Sequence, residues 1–148
     1  PLAPKIAATA VASGIPEAQA GAKVSDALRS PMQTTTASYT KTTTAVVTQL
    51  QSAGYKVRTK NYWKKGDPYQ GVNVALTSQS GQKFELQFHT AQSMAVKNEI
   101  HLDYERFRTS NDPSLRKTLW DDMVGKADAI SVPPGILAIP ELRVQTLD

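Results

Sequence analysis

Cysteine is absent from the 148 residues of this chain. Disulfide bonds, thiol catalysis and cysteine-rich zinc sites are therefore excluded. The sequence has two histidines, His89 and His101, which are too few for a zinc site built on histidine ligands. Long hydrophobic runs are also lacking. No stretch approaches the roughly 18 apolar residues that a membrane-spanning helix needs, so no such helix is predicted.

The residues that are present are typical of a soluble globular domain, with 40% hydrophobic and 20% charged residues. We expect one domain over residues 1–148, and the opening on proline suggests a piece of a longer protein. Residues 1–65 carry nine basic and two acidic side chains (+7), and residues 66–148 carry eight and eleven (−3). This asymmetry fits a cleft for a polyanion partly bridged by metal, and a solvated surface with chance asymmetry explains it equally well.

The spacing of the apolar residues predicts an α+β fold. Apolar side chains recur at helical spacing over residues 38–53, and Gly54 follows as a helix-ending residue. Alternating strands at residues 71–77 and 83–89, joined by a turn at Ser80 and Gly81, predict a β-hairpin. We therefore expect a mixed sheet of about five strands, including this hairpin, flanked by helices. We also expect helices over residues 4–13, over a second short stretch that ends at residue 20, and over residues 90–108 and 115–129. Strands are expected over residues 23–32 and 55–63. Residues 131–148 are expected to form an extended tail or a late strand.

A row of polar side chains lies on one face of the predicted hairpin. Because side chains alternate along a strand, Glu85, Gln87 and His89 point to the face opposite the apolar side chains of the same strand. A carboxylate on a rigid strand beside cations suits general-base or metal chemistry on an anionic substrate. The solvent face of an ordinary edge hairpin has the same pattern, so the row by itself leaves both interpretations open.

Two segments around this row resemble the signature of the RelA/SpoT alarmone synthetases. Residues 69–73 (YQGVN) resemble the family's Tyr-Gln-Ser-Leu-His segment, and residues 84–90 (FELQFHT) resemble its strand Glu-x-Gln-x-Arg-Thr. Residues 60–63 (KNYW) are similar to a Lys-Asp-Tyr-Ile stretch of the family, and residues 26–29 (DALR) to a shortened Asp-x-x-x-x-Arg strand. The resemblance covers roughly residues 23–108, and residues 1–6 resemble the tail of the donor-site Ser-x-x-x-Lys motif.

The resemblance implies a pyrophosphokinase that transfers pyrophosphate from ATP to the 3′-hydroxyl of a purine nucleotide, with Mg²⁺ as cofactor. Glu85 would be the base that takes the proton from the acceptor hydroxyl, and Gln87 would position the ribose or this carboxylate. Asp26, together with Glu85, would bind the metal. Tyr69 would stack on the acceptor base. The resemblance also assigns nucleotide binding to Arg29, Lys5, Lys60, Lys64, Lys65, Asn73, His89, Lys97 and His101.

Some positions depart from the family pattern. Gly71, Asn73 and His89 stand where the family has serine, histidine and arginine. These positions lie on the acceptor side, so adenosine and guanosine both stay open as the acceptor. A divergent, cysteine-free domain without hydrolase or regulatory parts resembles the toxin branch of the family, which is carried at the C-terminal end of secreted antibacterial effectors. That branch implies activity in the cytoplasm of a target bacterium and an immunity protein as partner.

Three other functions are compatible with the sequence. In the first, the acceptor is the 3′ end of tRNA, and the basic residues 56–65 with their aromatic neighbours form an RNA track. In the second, the domain is a non-catalytic nucleotide- or RNA-binding module of the same fold, which the weak donor motif favours. ADP-ribosyl transfer from NAD is the third, and it is disfavoured because that class usually needs a glutamate where Gln87 stands.

Overall fold

The computed structural model describes residues 28–138. Within this range no helix is long and apolar enough to cross a membrane. The elements, in chain order, are β1 (Leu28–Thr34), α1 (Tyr39–Ser52), β2 (Lys56–Asn61), β3 (Val72–Thr77), β4 (Lys83–Thr90), α2 (Ala91–Glu99), α3 (His101–Thr109), α4 (Pro113–Asp128) and a 3₁₀ helix (Ile136–Ala138).

The four described strands form one mixed sheet in the order β1-β4-β3-β2. β1 runs parallel to β4, and the β4–β3 and β3–β2 pairs are antiparallel. The α+β class and the β3–β4 hairpin are therefore confirmed, with four strands in the described range where about five were expected in the whole chain. The helices predicted over residues 4–13 and up to residue 20 lie outside the described residues.

The hydrophobic core lies on one face of this sheet, and α1 packs against it. Alternation along the strands sends one side chain in two into the core, so that β3 has the buried residues Val72, Val74 and Leu76. Helical spacing gives α1 a matching stripe of buried residues, which includes Val46 and Leu50. The core residues on this face were predicted from periodicity, and the prediction is confirmed.

The helix predicted over residues 90–108 is wrong as a single element. The structure has two helices, α2 and α3, that meet at Ile100, whose φ is −87° and ψ is 0°. Helical hydrogen bonds continue on both sides, from Ile100 N–H to the Val96 carbonyl and from Tyr104 N–H to the Ile100 carbonyl, each at 2.9 Å. A single altered ψ bends the chain without changing the spacing of its apolar residues, so the periodicity gave no sign of it. Beyond the bend, Tyr104 is 42% exposed.

The C-terminal segment also differs from the expectation of an extended tail or strand. Its described part turns at Gly135, where φ is +76°, and continues as the 3₁₀ helix. Ile136 is buried in the core, and its carbonyl accepts a hydrogen bond of 2.8 Å from Asn61 Nδ2. Two prolines and a glycine with positive φ favour this turn over a strand. Residues 139–148 lie outside the described range.

Candidate active site

The polar row of β4 is part of a sheet face that all four strands share. The register places Arg29 of β1 opposite Glu85 of β4, and Ala75 of β3 opposite Glu85 on the other side. Arg58 of β2 lies opposite Ala75. Since paired residues point to the same face of a sheet, these side chains form one line across it. A second line, one pleat along, contains Gln87, Asn73 and Lys60.

This face is strongly basic, and Glu85 is the one acidic residue that the four described strands contain. The cations of β2 on this face, Lys56, Arg58 and Lys60, are exposed to solvent. Clustered positive charge on one surface raises the local concentration of anionic ligands. Ala75, which is exposed, extends no further than its Cβ between Glu85 and the arginine of β2. The face can therefore receive a polyanion beside a single carboxylate.

Four of the predicted site residues meet in one hydrogen-bonded cluster. Gln87 Nε2 donates to Glu85 Oε1 at 3.0 Å, and Lys97 Nζ donates to Gln87 Oε1 at 3.0 Å. Arg29 Nε lies 3.8 Å from Glu85 Oε1. These contacts fix the orientation of the Gln87 amide between a carboxylate and an ammonium group. The carboxylate of Glu85 is held by these contacts and is still accessible to solvent, because 24% of the surface of its side chain is exposed.

The ammonium group of Lys97 is held in an unfavourable environment. Partial burial lowers the pKa of Lys97, the nearby charge of Arg29 lowers it further, and the charge of Glu85 opposes both. A cation that has lost part of its water and gained a neutral amide as partner is well placed to bind an anion, because an incoming negative charge relieves this cost.

Tyr69, Asn73 and His89 form a second cluster around the Tyr69 hydroxyl. This hydroxyl donates to Asn73 Oδ1 at 2.6 Å and lies 3.1 Å from His89 Nε2. Burial lowers the pKa of His89 to about 4, the charge of Lys97 adds to the effect, and a hydrogen bond to the backbone of Gln70 opposes it. Burial also raises the pKa of the Tyr69 phenol above its ordinary value. Both groups are therefore neutral near pH 7.

His89 is fully buried in the structure, with 0% of its surface exposed. It was predicted to bind nucleotide, and burial instead places it behind Tyr69, where it contacts the tyrosine and not solvent. Tyr69, which was predicted to stack on the acceptor base, is half-buried. Its ring meets the rings of Tyr62 and His89 at nearly right angles, with centroids 5.2 and 5.4 Å apart. The burial of both rings follows from their packing against each other, which a strand pattern does not indicate.

The side chains of the other described candidates, Lys60, Lys64, Lys65 and His101, form no hydrogen bond with these two clusters. Lys60 Nζ lies 4.8 Å from the centroid of the Tyr62 ring. Lys64 and Lys65 line a separate groove of about 270 Å³, together with Trp63, Gln70, Ala127, Asp128, Ile130, Val132 and Leu137. His101 is exposed on α3, beyond the bend at Ile100, whereas Lys97 belongs to α2. Lys97 and His101 were both predicted to bind nucleotide, and of the two the structure gives only Lys97 a contact with the row.

The residues predicted to bind metal are only partly described. Asp26 lies outside residues 28–138, as does Lys5. Within that range no group of three or more His, Asp or Glu side chains is arranged to hold a metal ion. Mg²⁺ is usually held by one or two carboxylates together with substrate phosphates and water. Glu85 supplies one carboxylate, so the described donor set fits Mg²⁺ that arrives with nucleotide phosphates and does not fit an all-protein cage.

Sequence reasoning missed two contributors to the site. Ser93, which is buried, has its Oγ 2.9 Å from His89 Nδ1 and also forms the capping box of α2 with Thr90. The Thr-x-x-Ser spacing before an apolar-periodic segment was the signal for this cap. Ala75 was also missed. Its importance comes from its place in the sheet, and no local pattern marks it.

No protein-family model and no curated protein sequence matches the chain. Among solved structures, smu.1046c of Streptococcus mutans UA159 is similar over 84% of this chain and 67% of its own, with a TM-score of 0.48 and 14% identity. The small alarmone synthetase 1 of Bacillus subtilis, solved with its product pppGpp, is similar over 83% of this chain and 67% of its own, with a TM-score of 0.46 and 16% identity. At these values neither similarity assigns this chain to a family, so its function is inferred from its own residues.

Proposed function

We propose that this domain is an ATP-dependent pyrophosphokinase that modifies the 3′-hydroxyl of a purine nucleotide. The observation that carries the proposal is a single carboxylate, Glu85, set in a basic sheet face and held by Gln87 between the cations of Arg29 and Lys97. The resemblance of residues 69–73 and 84–90 to the RelA/SpoT signature supports the same assignment.

The reaction asks for positioning and charge neutralisation more than for covalent chemistry. The acceptor 3′-oxygen forms a bond to the β-phosphorus of ATP, and the bond from that phosphorus to the oxygen of the α-phosphate breaks, which releases AMP. Glu85 accepts the proton of the acceptor hydroxyl. Gln87 keeps one carboxylate oxygen in a hydrogen bond of 3.0 Å, which fixes the direction of the base.

The cations around Glu85 have a role in the same step. Arg29 and Lys97, which flank the carboxylate, bind the phosphates that gain charge as the bonds change. Glu85 and Asp26, together with phosphate oxygens of the bound nucleotides, would hold Mg²⁺, which would neutralise further charge on the phosphates. On the far side of Ala75, the exposed Arg58 binds a phosphate of the second nucleotide.

Tyr69 is proposed to contact the acceptor base, with the purine as adenine or guanine. Its ring lies beside Tyr62 at the edge of the basic face, one aromatic away from the Lys60 ammonium. When the acceptor base contacts Tyr69, the ribose of the same nucleotide is directed toward the polar row of β4. The roles of toxin, secreted effector and partner of an immunity protein stay predictions.

The proposal is tested by incubating the domain with Mg²⁺ and ATP labelled at the β-phosphate. AMP, ADP, GDP and deacylated tRNA are offered in turn as acceptors. The proposed function predicts AMP release and label in a purine nucleotide. Label in tRNA instead supports the 3′ end of tRNA as the acceptor, and an absence of AMP with every acceptor contradicts catalysis and favours a binding module.

A further inference from the structure

A chain of hydrogen bonds, partly buried at Asn73 and Tyr69 and buried at His89 and Ser93, runs from Asn73 to the start of α2. The Tyr69 hydroxyl has one proton, which it donates to Asn73 Oδ1 at 2.6 Å. At 3.1 Å from His89 Nε2 the phenol oxygen must therefore accept, so Nε2 carries the imidazole proton. Nδ1 of the neutral ring is then an acceptor, and the Ser93 hydroxyl, 2.9 Å away, donates to it in this arrangement. The same hydroxyl also lies 3.2 Å from the Thr90 carbonyl oxygen, which is the longer of its two possible acceptor contacts.

The chain ends in the capping box of α2. Ser93 Oγ accepts from the Thr90 backbone N–H at 2.9 Å, and the Ser93 N–H donates to Thr90 Oγ1 at 3.1 Å. Lys97 follows four residues after Ser93, on the same side of the helix. Because Lys97 also donates to Gln87, α2 is tied to β4 at two points, and Tyr69 is tied to the first of them.

The space beside Tyr69 and His89 admits only glycine at position 71 without a shift of its neighbours. A Cβ at this position would lie 2.9 Å from His89 Cε1 and 3.1 Å from both the Tyr69 hydroxyl and the Phe88 carbonyl oxygen. One of these neighbours is backbone, so a side chain is accommodated only by moving the two rings. The position where the resembling family has serine is therefore glycine in this chain for a steric reason that involves His89.

We propose that His89 is a positioning residue, which holds Tyr69 through its hydroxyl and fixes it to the N-terminus of α2. The geometry makes Tyr69 and Lys97 parts of one rigid unit that spans the distance from the acceptor base to the phosphates. The functional half of this inference depends on the proposed function, whereas the hydrogen-bond chain does not. A buried, neutral imidazole with both nitrogens occupied is the state that such a link needs, and the low pKa of His89, about 4, keeps it in that state.

The tautomer provides a test that is independent of activity. Nitrogen-15 chemical shifts of the histidine rings, recorded from pH 5.5 to 8, are expected to show His89 with a proton on Nε2 only and no titration. His101, which is exposed, gives the second set of ring signals in the same spectra. A proton on Nδ1, or titration of His89 near pH 6.5, overturns the proposed chain.

Two substitutions separate the two ends of the imidazole. The amide nitrogen of glutamine reaches the position of Nε2, so His89→Gln keeps a donor for Tyr69. The shorter side chain of His89→Asn reaches only the position of Nδ1, so it keeps the contact with Ser93 and releases Tyr69. We expect His89→Asn to raise the KM for ADP or GDP about tenfold, the effect of one lost hydrogen bond. His89→Gln should restore most of this loss, with kcat changed less than KM in both variants.

The double variant His89→Asn/Tyr69→Phe completes the test. If His89 acts through the Tyr69 hydroxyl, the double variant is no weaker than the weaker of the two single variants. Penalties that add, or equal losses in the glutamine and asparagine variants, contradict the positioning role. If the wild-type domain accepts neither nucleotide, the proposed function fails, and the nitrogen-15 spectra still decide whether the chain exists.

Discussion

Removing one oxygen atom from Tyr39 should destabilise the fold that carries the site. The Tyr39 hydroxyl donates to the Phe88 carbonyl at 2.6 Å and accepts from Trp63 Nε1 and from the Val72 backbone N–H, each at 3.0 Å. All four residues are buried, with exposures from 0% to 3%. This single group joins the first residue of α1 to β3, β4 and the segment that leads to Tyr69.

The cost of Tyr39→Phe can be worked out from these contacts. Three hydrogen bonds are lost, and two buried donors, on Trp63 and Val72, are left without this acceptor. Each unpaired buried donor costs about 1–3 kcal/mol. Allowing for partial relaxation, the free energy of unfolding should fall by about 3–5 kcal/mol, a large share of the ~5–15 kcal/mol that a domain of this kind has. Urea denaturation followed by tryptophan fluorescence measures it.

Tyr55→Phe is the matched control, since it deletes the same atom at another buried site. The Tyr55 hydroxyl is buried and has no hydrogen-bond partner among the residues that the structure describes. The ring keeps its edge contact with Phe84, 5.8 Å between centroids. Removing an unpaired buried hydroxyl should leave stability unchanged or raise it by up to about 1 kcal/mol. Equal losses in both variants would refute the reasoning.

Three further predictions concern the site. The pKa of His89 is about 4 in the folded state and 6.5 ordinarily, so the unfolded chain binds a proton first as the pH falls. The free energy of unfolding should therefore fall by roughly 3 kcal/mol between pH 6.5 and 4. Chemical denaturation at several pH values should show a smaller loss in His89→Gln. Gly71→Ala should displace the Tyr69 ring and cost about 1–3 kcal/mol in stability, measured by urea denaturation, with a rise in acceptor KM; unchanged values would contradict the close packing. Lys97→Met should weaken ATP binding in isothermal titration about tenfold, the loss of a charge-assisted hydrogen bond, whereas the exposed Lys117→Met should leave it unchanged.

The residues of β4 show which features of the site the local sequence pattern predicts. Alternation places Glu85, Gln87 and His89 on one face, and the structure confirms that they share it. Local pattern does not indicate how deeply each is buried. Gln87 and His89 are 7% and 0% exposed because Lys97 and Tyr69, which come from other elements, contact them. Burial of a polar strand face is a tertiary property, and a period of two contains no information about it.

Non-local pairing is the other part that the sequence leaves open. The parallel alignment of β1 with β4 brings Arg29 opposite Glu85 across 56 positions of the chain. A strand pattern indicates that both strands exist, but neighbour, direction and register depend on the whole sheet. The family resemblance gave Glu85 and Arg29 separate roles, and the sheet brings Arg29 Nε to 3.8 Å from Glu85 Oε1. The bend at Ile100 is a local feature, but the sequence does not predict it because the spacing of the apolar residues is unchanged across it.

The central claim is that Glu85 is the base of a pyrophosphate transfer, and Glu85→Gln tests it most directly. The change is isosteric on a partly exposed side chain, so the folded state should be retained, as thermal unfolding checks. Losing a general base lowers kcat by about 100- to 10,000-fold, measured as the transfer of label from the β-phosphate of ATP to the acceptor. Glu105→Gln, on the exposed carboxylate of α3, should leave the rate unchanged. A Glu85→Gln domain as active as the wild type would contradict the account.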